Sequence, residues 1–173
     1  MNARSVIEAV IKAWSAQDVE TTISYCSDDV VYALHISEQA VPFAGASEGK
    51  DAVRATLHMM LEMFDYLKFD QWIVGFAGET VRVQTQFKLH HRRTGENLEG
   101  SMRTIFTVKN GLMTRCDEYL DEGLVETFMR LVRQREAEND IVAPPRISGR
   151  PAPPTASEAT PEPKVCDKAC DKP

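Results

Sequence analysis

Apolar residues recur at Val6, Ala9, Val10, Ala13 and Trp14, which predicts an amphipathic helix over residues 3–16. Asp18 is placed to cap a second, short helix running to Tyr25, with Ile23 facing inward. The run Val30 to Leu34 reads as a strand. Residues 37–49 contain Pro42, Gly45 and Gly49 and read as loop with at most a short strand. Asp51 opens a third helix to about Phe64, with Val53, Leu57, Met60, Leu61 and Phe64 on one face. After Tyr66 the apolar period falls from 3.6 to 2. Strands are expected over 68–76, 79–91, 98–108 and 112–120, with turns at Thr94-Gly95 and Asn110-Gly111. Asp121 and Glu122 open a last helix with Leu124, Phe128, Leu131 and Val132 as its apolar stripe. The order predicts an α+β fold: one curved antiparallel sheet with helices packed on its concave face.

Composition sharpens the domain boundary. All 13 aromatic residues lie at or before Phe128, and eight of the nine prolines lie at or after Pro144. The expected organisation is one domain over residues 1–138 and a disordered Pro-rich tail over 139–173. Of the net charge of −6, the first 140 residues carry −7, so the acidity belongs to the folded part. That balance excludes a general nucleic-acid footprint. Apolar runs are too short for a membrane span, and no signal-peptide pattern is present. Four cysteines without such a signal point to a reducing cytoplasm. Cys26 and Cys116 read as buried thiols, and Cys166 and Cys170 as free thiols in the tail.

The last hairpin decides which side chain can do chemistry, and two registers compete. A two-residue Asn110-Gly111 turn pairs Lys109 with Leu112 and turns Arg115 and Asp117 toward Met102, Thr104, Phe106 and Val108. A three-residue loop, Lys109 to Gly111, turns Leu112, Thr114, Cys116, Glu118 and Leu120 to that face instead. The second buries one charge where the first buries two, so the three-residue loop is expected. Glu118 is then the one ionisable group on a face of Val83, Thr85, Phe87, Met102, Thr104, Phe106, Cys116 and Leu120. A lone carboxyl against an apolar wall has a raised pKa and can act as a general acid or base near neutral pH. A structural hydrogen-bonding role for Glu118 stays open beside that reading.

Four segments in order suggest a family: YCSDDVVY (Tyr25 to Tyr32), EGKDAV (Glu48 to Val53), KNGLM (Lys109 to Met113) and EYLD (Glu118 to Asp121). Their order and spacing resemble SnoaL-like domains of the nuclear transport factor 2-like superfamily, over about residues 3–135. The resemblance implies a cone-shaped, cystatin-like α+β barrel with an apolar pocket, often in a homodimer. It also places the chain beside limonene epoxide hydrolase, ketosteroid isomerase and polyketide cyclases. Matched to the epoxide hydrolase, the pocket Tyr is Tyr32 and the last-strand acid is Glu118. The remaining polar positions have become Leu34, Thr85 and Phe87, so that hydrolase mechanism is not expected. SnoaL-type cyclases, which rely on a single acid/base carboxyl in an apolar pocket, resemble the layout more loosely. The implied site is Glu118 and Tyr32 as catalytic residues. Trp14, Leu34, Leu57, Met60, Phe64, Phe87, Met102, Cys116 and Leu120 are the implied substrate-binding wall.

Other signals add little. His90, His91, Arg92 and Arg93 read as a solvated hairpin tip, and His58 as a surface residue. The four histidines have no metal-ligand spacing, and no phosphate loop or nucleophile elbow is present. No metal and no cofactor are expected. Met59, Met60 and Met63 suggest a soft wall for a flexible ligand. The expected partner is a small apolar molecule, with a second copy of the chain and no nucleic acid or membrane. Three functions stay open: a cofactor-free isomerase, cyclase or hydrolase; a lipophilic-ligand-binding module; and a dimeric interaction module.

Overall fold

The computed structural model describes residues 2–142. Of the tail expected over 139–173, residues 139–142 are helical, and the remainder, with Cys166 and Cys170, lies outside the described residues. The element order is α1 (Ala3–Ser15), α2 (Val19–Ser24), β1 (Cys26–Leu34), β2 (Gly45–Glu48), α3 (Lys50–Met63), β3 (Phe64–Ala77), β4 (Thr80–His91), β5 (Asn97–Lys109), β6 (Leu112–Tyr119) and α4 (Glu122–Val142). Local chemistry sets the helix starts. Asn2 accepts from the Ser5 amide and Asp18 from the Thr21 amide, each at 2.9 Å, so side-chain oxygens satisfy backbone donors at both N-termini. Gly49, at φ 83, turns the chain from β2 into α3, a conformation that glycine adopts without steric cost.

The six strands form one curved, open sheet in the order β2-β1-β6-β5-β4-β3. Neighbours are antiparallel except β1 and β6, which run parallel. The core lies between the concave face and the helices. Its wholly buried members include Val6 and Ile7 of α1, Val30 of β1, Val81 and Val83 of β4, and Val132 of α4.

The β5–β6 hairpin differs from the expected one. Its turn has two residues: Lys109 pairs with Leu112, and Asn110 and Gly111 sit at φ 51 and 78. Positive φ at both positions suits the strand twist and an Asn-Gly pair. The register shifts one step later, where Thr107 pairs with Arg115 and Thr114 is bulged out. Cys116 and Glu118 therefore face the concave side as expected, but Leu112 is exposed and Met113 is buried in its place.

Three other expectations are corrected. Strand β3 begins at Phe64, directly after the third helix, rather than at residue 68. The buried stripe of α4 is Val125, Phe128, Met129 and Val132, while Leu124 and Leu131 stay partly exposed. That set follows i, i+3, i+4, i+7 spacing, the geometry of one helix face. His91 is not at a solvated tip. It is buried, bonds Thr94 Oγ1 through Nδ1 at 2.9 Å, and packs against Phe64 and Phe128.

Candidate functional site

The concave face, α1, α3 and α4 together line a cavity of about 110 Å³. One water needs only about 10–15 Å³, so the space suits several waters or a small organic group. Trp14 of α1, Leu57 and Met60 of α3, and Phe64 at the start of β3 all line it. So do Leu34 of β1, Phe87 of β4, Met102 of β5, Cys116 of β6 and Leu120 just beyond it. Tyr32 and Glu118 complete the expected set, and all eleven residues meet at one cavity. Met59 does not join them; it is exposed, because the helix turns it 100° away from Met60.

Sheet register explains the polar centre. Tyr32 pairs with Cys116 and Leu34 with Glu118 across the β1–β6 boundary. Glu118 therefore stands one residue pair along from Tyr32 on the same face. The Tyr32 hydroxyl donates to Glu118 Oε2 at 2.7 Å. Burial lifts the Glu118 carboxyl from 4.5 to about 7, and the Tyr32 bond opposes part of that rise. The apolar wall favours the neutral acid, while the phenol stabilises the carboxylate. The two effects leave a carboxyl that exchanges its proton near neutral pH.

Tyr66 is a further polar group that the sequence pattern did not single out. It lines the cavity, and burial followed by the nearby Glu118 charge pushes its phenol well above the usual tyrosine range. It stays protonated as a donor, and it stands edge-on to Trp14 with ring centroids 5.6 Å apart. Gln71 of β3 also lines the cavity. The signal for both was present: Phe69, Gln71 and Ile73 alternate with outward Asp70 and Trp72. Bulges at Leu67 and Val74, and apolar residues on both sides of β3, blurred it. The Cys116 thiol, pushed well above its usual range by burial and then by Glu118, stays neutral. Among the described residues no group of three or more His, Cys, Asp or Glu side chains is arranged to hold a metal ion. No helix among them is long and apolar enough to cross a membrane.

On the opposite face of β6, Asp117 is held by Arg115 through two bonds of 2.7 and 2.8 Å and by His35 Nε2 at 2.8 Å. Burial alone would raise this carboxyl, but the bonds from Arg115 and His35 outweigh it and hold it below the ordinary value. His35 stacks on Tyr119 at 4.4 Å, which fixes the chain just after β1 to the end of β6.

Known proteins share this layout. The family model described as a SnoaL-like domain matches residues 7–116. Among solved structures, an NTF2-like protein from Burkholderia thailandensis is 19% identical with a TM-score of 0.67, covering 75% of this chain and 98% of that one. A Mesorhizobium loti protein provisionally named a SnoaL-like polyketide cyclase is 21% identical with a TM-score of 0.60, covering 69% and 100%. TerC, co-crystallised with polyporic acid, is 15% identical with a TM-score of 0.61, covering 74% and 98%. At these identities the likeness shows the fold. No curated protein sequence matches the chain.

Proposed function

We propose a function from the premise that this chain belongs to the SnoaL-like domain family. The reading is a proton-transfer enzyme, an isomerase, cyclase or hydrolase, acting on a small and mainly apolar substrate. The observation that carries it is Glu118: a carboxyl in an apolar cavity, bonded to Tyr32 and lifted to about 7. A base poised near the working pH is the usual requirement for general acid–base catalysis.

In this reading the Glu118 carboxylate takes a proton from a carbon next to a carbonyl, and the electron pair left behind spreads onto the carbonyl oxygen. Tyr66 donates a hydrogen bond to that oxygen as its charge develops. The protonated Glu118 then returns the proton to another carbon or to a leaving oxygen, which restores the carboxylate. Tyr32 is spent on the carboxylate itself and acts as a positioning residue. The TerC structure, co-crystallised with polyporic acid, supports a small-molecule role for this fold.

The test is hydrogen–deuterium exchange at the α-carbons of 2-tetralone, followed by NMR. Exchange above the buffer rate is expected with the native protein and not with Glu118→Gln. Equal rates in the two proteins would remove the assignment.

A second observation favours pairing of two copies. The edge strand β3 leaves Leu67, Trp72, Val74 and Phe76 exposed, an apolar concentration uncommon on a monomer. Sedimentation should give a dimer mass that falls to a monomer in Trp72→Glu with Val74→Glu; a native monomer would contradict this.

A further inference from the structure

The cavity has a second polar spot, remote from Glu118. Gln71 lines the cavity, and its side-chain oxygen Oε1 is buried with no hydrogen-bond partner. Its register partner on β4 is Thr85, which is wholly buried, and the Thr85 hydroxyl oxygen also has no partner. Directly opposed residues on a sheet stand about 5 Å apart at Cβ, so Thr85 is the β4 neighbour of Gln71 beneath the cavity wall. The neighbours of Gln71 along the same face are Phe69 and Ile73. An apolar residue at this position would continue the wall and strand no polar atom. Buried polar atoms in native proteins almost always find a partner, and Gln71 lines a cavity from which one can come.

The sheet sets the scale between the two spots. Gln71 on β3 and Glu118 on β6 are separated by β4 and β5. Three strand spacings amount to about 14 Å along the sheet, and less across its concave side.

We propose that Gln71 selects the ligand: the cavity takes an elongated, mainly apolar molecule whose reacting carbon lies at Glu118 and whose far end carries a hydroxyl or N–H that donates to Gln71 Oε1. The orientation rests on the proton-transfer reading of Glu118. The Gln71 contact does not require turnover, so the two can fail separately.

The probes are 2-tetralone and 6-hydroxy-2-tetralone, which differ by one hydroxyl remote from the ketone. Calorimetric titration of the full chain should show the hydroxylated ketone binding at least fivefold more tightly. Gln71→Leu should bring that ratio close to one, and Glu118→Gln should leave it in place. Gln71→Leu should also melt at the native temperature or above, because it removes a buried oxygen that has no partner. Four results would each overturn the proposal: no native preference for the hydroxylated ketone, a preference that survives Gln71→Leu, no binding of either ketone at millimolar concentration, or a clear fall in melting temperature. Absence of deuterium exchange with the native protein, with the hydroxyl preference intact, would instead remove the catalytic reading and leave this one standing.

Discussion

Asp117 and Glu118 are neighbours in one strand, and the pleat sends them to opposite faces of the sheet. Asp117 meets two cationic or donor side chains, and its carboxyl is held below the ordinary value. Glu118 meets an apolar cavity and one phenol, and its carboxyl rises to about 7. The same functional group is thus an anchor on one side and a titrating acid on the other. The difference lies in the partners that the register delivers. The bulge at Thr114 is what assigns each carboxyl to its face.

The largest expected break in this contrast is at Glu118. Glu118→Gln keeps the size of the side chain and an acceptor for Tyr32 but cannot move a proton. The α-carbon exchange rate should fall about 10³-fold, while circular dichroism stays native. Asp117→Asn should retain exchange per folded molecule, which separates the two roles.

The same substitution should stabilise the fold at alkaline pH. The folded-state pKa of Glu118, about 7, lies above its ordinary 4.5. Its contribution is therefore complete below pH 4.5 and is lost as pH rises through 7. That rise corresponds to about 3 kcal/mol at most. Denaturation at pH 8.5 should find Glu118→Gln the more stable protein, and at pH 4 the two should agree.

Asp117→Asn should do the reverse, with a smaller effect. It removes the acceptor shared by Arg115 and His35, but both side chains are near half exposed and can turn to water. A loss of about 1–2 kcal/mol is expected at pH 7, read from urea denaturation. The loss should shrink on acidification through the depressed pKa of Asp117, because native stability from this group is present above the ordinary value and disappears below the folded one.

The smallest effect belongs to Tyr32→Phe. The phenol lowers the Glu118 pKa, so its removal should move the midpoint of the exchange-rate profile to higher pH. A move of about half a unit to one unit matches the net worth of one hydrogen bond.

Much of this contrast was legible in the chain. Alternation along β4 and β5 marks their inward sets, and the cost of burying charge points Cys116 and Glu118 to the concave face. The mechanism of that placement was not legible. The Asn110-Gly111 turn has two residues, and the extra residue is Thr114, where the sequence carries no glycine to mark a bulge. Tyr66 and Gln71 were hidden for a related reason. Two bulges interrupt the period of β3, and its exposed Trp72 and Val74 are as apolar as its buried side. His91 was misplaced because polar neighbours at a turn conceal the one ring that folds back onto Phe64 and Phe128. In α4, both candidate stripes contain Phe128 and Val132, and the larger leucines drew attention from Val125 and Met129.

The central claim is that Glu118 carries a proton that is shared with solvent near neutral pH. An NMR titration of side-chain carboxyl carbons reads this directly, with Glu118→Gln and Asp117→Asn identifying the two signals. A Glu118 midpoint near 7, beside an Asp117 midpoint below the ordinary aspartate value, is the expected result. A Glu118 midpoint between 4 and 5 would contradict the account.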